Sequence, residues 1–80
     1  MVSPQISVMG VIDNLNNENF RKDAPFNLKN DSFSPVELEV NLWNMQPGEF
    51  VRTQFDIGWN PEIIREIKQT SLSTNLKWGY

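Results

Sequence analysis

The stretch Val36-Glu37-Leu38-Glu39-Val40-Asn41-Leu42 constrains this chain most. Apolar and polar residues alternate without a break. A period of two sends successive side chains to opposite faces of an extended strand, so Val36, Leu38, Val40 and Leu42 face a core while Glu37, Glu39 and Asn41 face water. A helix would scatter the four apolar residues around its circumference. Trp43 and Met45 fall on the polar side, so that face turns apolar toward its end. Gln46-Pro47-Gly48-Glu49 then makes a turn, in which Pro47 presets φ and Gly48 accepts a positive φ. Beyond it the chain runs back with Val51, Thr53, Phe55 and Ile57 on one face and Phe50, Arg52, Gln54 and Asp56 on the other. The pattern predicts a β-hairpin over residues 36–57.

The remaining segments are shorter. Residues 5–12 alternate loosely, with Ile6, Val8 and Ile12 on one side, and predict a strand bent at Gly10. Residues 13–23 are dense in Asn and Asp, whose side chains compete with regular backbone hydrogen bonding, and predict a surface loop pinned by Leu15 and Phe20. Pro25-Phe26-Asn27-Leu28 predicts a short strand, residues 29–32 a turn, and Pro35 closes the connection. Leu76, Trp78 and Tyr80 share a face of a last strand. Residues 61–68 have two readings. Asn60, Pro61 and Glu62 have the order of a helix cap, first-turn proline and first-turn acid, with Ile63, Ile64 and Ile67 on one helical face. Three β-branched residues in seven favour a strand instead, with Ile63, Arg65 and Ile67 facing one way and Ile64 the other. Five or six short strands in 80 residues predict one all-β domain, a small antiparallel sandwich or barrel of Ig-like or jelly-roll type.

Composition narrows the function. The chain has no cysteine and no histidine, so thiolate chemistry and imidazole acid–base or metal chemistry are not expected. Net charge is −3 and the seven basic residues are scattered, which argues against a nucleic-acid partner. No apolar run approaches the roughly 20 residues of a membrane helix, and the first residues lack the pattern of a signal peptide. Synthesis in the cytosol is expected. Glu37 and Glu39 form a carboxylate pair, but on an alternating strand a solvated face explains them. Residues 13–18 superficially match a calcium loop, a pattern that fails at Leu15 and at Glu18, where glycine is required. No catalytic residue, cofactor or metal is expected. A thin core without staples makes an assembly subunit more natural than a free enzyme.

Phe55, Gly58, Pro61, Ile64, Ile67, Thr70, Thr74 and Leu76 occur in a recognisable order: a hairpin strand, a glycine turn, a proline, an isoleucine-rich run, a Ser/Thr cluster and a short apolar strand. This C-terminal part, about half the chain, resembles small phage virion proteins of the spike-base, head-fibre and capsid-decoration kind. The resemblance implies that Pro61 opens a strand, that residues 70–74 form a turn, and that the function is structural. It implies a subunit of the virion that decorates the capsid or attaches a head fibre, as a dimer or trimer or bound to other virion proteins. Trp43, Met45, Trp59, Trp78 and Tyr80 are the expected interface residues, since aromatics dominate contact sites. Two other functions compete: a carbohydrate-binding module that stacks sugars on its tryptophans, and an accessory or inhibitor domain.

Overall fold

The computed structural model of the protein describes residues 6–71 and 75–80, and among these all regular structure is β. Seven strands follow in chain order: β1 (Met9–Val11), β2 (Phe20–Asn30), β3 (Val36–Leu42), β4 (Val51–Phe55), β5 (Gly58–Trp59), β6 (Ile64–Ile67) and β7 (Leu76–Gly79). They hydrogen-bond in the order β1-β7-β2-β6-β3-β4, with β5 also on β2, and every ladder is antiparallel. The expected Ser/Thr turn falls largely on residues 72–74, outside the described part.

The hairpin forms as the alternation requires. Val36 pairs with Phe55, Leu38 with Thr53 and Val40 with Val51, and Gly48 takes a φ of 87° in the turn. Val36, Leu38 and Val40 are buried, while Leu42 is half-buried against the same core. On the solvent face Glu37 pairs with Arg52 at 3.2 Å and Glu39 with Lys68 at 3.8 Å. Strand β4 ends at Phe55, so Ile57 is not a core residue and stays 57% exposed.

The long strand β2 ties the molecule together. Its first part pairs with β6 and its last part, Asn27–Asn30, with β7. The register shifts between Arg21 and Phe26. Pro25 lies in that interval, as expected of a residue that has no N–H for a ladder. The two halves, β1-β7-β2-β5 and β2-β6-β3-β4, close over one core of Phe26 and Leu28, Val36, Leu38 and Val40, Phe55, Ile64, Ile67 and Leu76. Ile12 and Leu15 seal it from the chain after β1. The Asn-rich loop is shorter than its composition suggests, because β2 begins at Phe20, where pairing with Ile67 captures the chain.

Residues 61–68 are extended, and neither alternating face describes them. Asn41 pairs with Glu66 and Leu42 with Ile64. Strand β6 thus carries one residue more than β3 between these pairs, the signature of a β-bulge at Arg65. The bulge turns both Ile64 and Ile67 into the core at 0% exposure and leaves Ile63 outside at 54%. Asn60 caps no helix. Its amide donates to the carbonyls of Asp56 (3.0 Å) and Gly58 (3.1 Å) and accepts from the Asp56 N–H (3.0 Å), holding the turn before β6.

Strand β1 spans only three residues, and Val8, Met9 and Val11 are exposed. Gly10 is required for close approach rather than for a bend. A Cβ there would lie 2.8 Å from the Trp78 indole, which crosses it from β7.

Candidate functional site

The end of β3 builds the most distinctive surface. Asn41 lies on the strand's polar face, yet it is fully buried. Its amide donates to the carbonyls of Gln46 and Glu49, both at 2.7 Å, and draws the loop over itself. Within that loop the Met45 N–H donates to the Leu42 carbonyl (3.0 Å) and the Gln46 N–H to the Glu49 carboxylate (3.1 Å). The loop is therefore a braced ledge. Trp43 projects from it, 43% exposed.

Two bonds fix Trp43 against the bulged strand. Its N–H donates to the Ile63 carbonyl at 3.0 Å, and its own carbonyl accepts from the Arg65 guanidinium at 2.6 Å. The guanidinium lies 5.3 Å from the indole centroid, in cation–π range. On one side of Trp43 is an apolar groove of about 440 Å³, lined by Leu42, Trp43, Asn44, Met45, Pro61 and Ile63. On the other side is a polar cleft of about 430 Å³, lined by Arg21, Lys22, Asp23, Trp43 and Arg65. The irregular part of β2 and the bulge on β6 supply the cleft's charged side chains.

The five aromatic and methionine residues singled out from sequence do not form one cluster. Trp43 and Met45 share the groove. Trp78 and Tyr80 stack with centroids 5.6 Å apart, and the Lys22 ammonium sits 4.0 Å above the Trp78 ring. Lys22 thereby borders both the cleft and the second aromatic pair. Trp59 stands elsewhere. Its strand pairs with β2 at Lys29, and its ring reaches over Gly79 beside Ile6. Pro61, Ile63, Arg65, Arg21 and Lys22 were not marked as site residues by sequence reasoning. The bulge that exposes Ile63 has no signature in an Ile-Ile-Arg-Glu-Ile run.

Among the described residues no three acidic, histidine or cysteine side chains gather as a metal site. The one clear electrostatic perturbation lies away from the groove. The Lys77 ammonium, 3.0 Å from Asp31, holds that carboxyl below its usual value of 3.8, and Lys29 at 3.3 Å adds to the effect. Comparison with known protein families, curated proteins and solved structures finds no match to this chain.

Proposed function

We propose that the chain is a non-enzymatic structural subunit of a phage virion, decorating the capsid or attaching a fibre, and that it acts by docking onto other virion proteins. The observation that carries this reading is the groove beside Trp43. It is apolar, open to solvent, and backed by a loop and strand whose backbones are already hydrogen-bonded. An exposed indole and isoleucine on a pre-organised ledge suit a contact site, because little side-chain or loop ordering remains to oppose binding. The β4 edge, with Val51 42% exposed, is an end of the sheet and offers strand pairing for a dimer or trimer. The C-terminal resemblance to small virion proteins supports the virion as the place of assembly.

The test uses particles produced by the genome that encodes the chain. The expected result is the chain in fixed stoichiometry in purified particles. Trp43→Ala should deplete it from them while the free variant keeps its β circular-dichroism spectrum. Absence from the particles overturns the proposal. So does a monomer that binds nothing but sugars on a glycan array, which would move the reading to the carbohydrate module.

A further inference from the structure

The cleft on the far side of Trp43 is a basic site on an acidic protein. Of the seven basic residues, four are ion-paired: Lys29 and Lys77 with Asp31, Arg52 with Glu37, and Lys68 with Glu39. The other three are Arg21, Lys22 and Arg65. None of them has an ion pair among the described residues, and all three line this one cleft. Glu66 lies opposite Arg21 across the β2–β6 ladder; its carboxylate accepts from the neutral Asn19 amide at 2.9 Å and keeps its charge, but it does not line the cleft. Asp23 is the only acid lining the cleft, which leaves it at +2 on a chain of −3. Arg65 and Lys22 are also held by cation–π contacts with Trp43 and Trp78, so two of the three charges are positioned before any ligand arrives.

We infer that the occupant of this face is an acidic, extended segment of a different protein, which seats an apolar side chain in the groove and its carboxylates in the cleft. The inference rests on the docking role proposed above and adds the chemistry of the partner. Trp43 joins the two compartments, being the one residue that lines both. Apolar burial in the groove supplies affinity. Carboxylates against Arg21 and Arg65 supply orientation, since a guanidinium can grip a carboxylate through two N–H donors.

The experiment is a nuclear magnetic resonance titration of the ¹⁵N-labelled chain with blocked pentapeptides of alternating glutamate and leucine. Matched peptides carry glutamine or lysine in place of glutamate. The glutamate peptide should shift the signals of Arg21, Lys22, Trp43, Ile63 and Arg65, with affinity that falls as salt is raised. Arg21→Gln, at an exposed position, should weaken it about tenfold, the worth of one charge-assisted hydrogen bond. The lysine peptide should not bind. Equal binding of the glutamine peptide overturns the acidic partner while leaving the docking groove intact. No shift at these residues with any peptide, or tighter binding of a sulfated oligosaccharide at the same residues, overturns the peptide site itself. Light scattering that shows self-association abolished by Arg21→Gln assigns the face to a second copy and overturns the inference too.

Discussion

Three buried asparagines, Asn30, Asn41 and Asn60, act as the staples of this cysteine-free chain. Each spends its amide on the carbonyls of a neighbouring turn. Asn30 donates to Ser34 (2.9 Å) and accepts from the Ser32 N–H (2.9 Å), Asn41 holds the ledge under Trp43, and Asn60 holds the turn before β6. Asn41→Ala should destabilise the fold by about 1 kcal/mol, since two part-buried hydrogen bonds to the loop carbonyls are lost. It should also loosen the groove. Urea unfolding measures the first effect, and Trp43 amide exchange the second; a change below about half a kcal/mol would remove the brace from the account. Asp31 works differently. Lys29 and Lys77 stand directly opposite each other on β2 and β7, and Asp31 bridges both. Because the fold holds its carboxyl below the usual 3.8, this stabilisation is present in full above that value and is lost as pH falls through the lowered folded value. Asp31→Asn should cost about 0.5–1 kcal/mol near neutral pH, as two facing lysines lose their counter-ion. It should also flatten the acid limb of stability below about pH 4. Urea midpoints of both proteins at neutral pH and near pH 3 check this, and parallel pH curves would refute it.

Among the elements, the bulged β6 makes the sharpest prediction. A regular strand would give Ile63 and Ile67 one face and Ile64 the other, whereas the bulge at Arg65 buries Ile64 and Ile67 together and exposes Ile63. Ile64→Ala should therefore cost about 2–4 kcal/mol, with a cavity left among fully buried neighbours. Ile63→Ala should stay within about half a kcal/mol on stability while removing one wall of the groove. Comparable losses at both positions would mean that the bulge is misplaced. Strand β3 repeats the logic without the irregularity: Leu38, 2% exposed, is its deepest leucine.

At the scale of the whole molecule, β2 belongs to both halves of the sheet. Neither half can unfold while leaving the other's ladder and core intact, and the single hydrophobic cluster draws on both. Thermal unfolding should thus be two-state. Far-ultraviolet circular dichroism, which follows the strands, and tryptophan fluorescence, which follows Trp43, Trp59 and Trp78 in different regions, should give coincident transitions. Separated transitions would show that the halves are independent despite the shared strand. Among the described residues the two ends of the sheet, β1 and β4, have no strand partner on their outer sides, so variants that charge the β4 edge act on assembly rather than on this cooperativity.

The sequence by itself determined the all-β class, the hairpin of β3 and β4, the Gly48 turn and the solvated Glu37–Glu39 face. These follow from local alternation and turn chemistry, which need no distant partner. It also pointed to Trp43 and Met45, because an apolar residue on a polar face is visible in the pattern. Only the tertiary structure decided the rest. Whether residues 61–68 were helix or strand depended on β2 and β3 pairing on either side, and the bulge at Arg65 arose from fitting Ile64 and Ile67 into one core. Asn41 read as a solvent-facing strand residue until a loop closed over it. Trp59, an expected interface residue, does not line the groove with Trp43 and Met45, because its strand pairs with β2 at Lys29. The gathering of Arg21, Lys22 and Arg65 needed two irregular strands side by side, a relation between residues more than 40 positions apart that no local rule encodes.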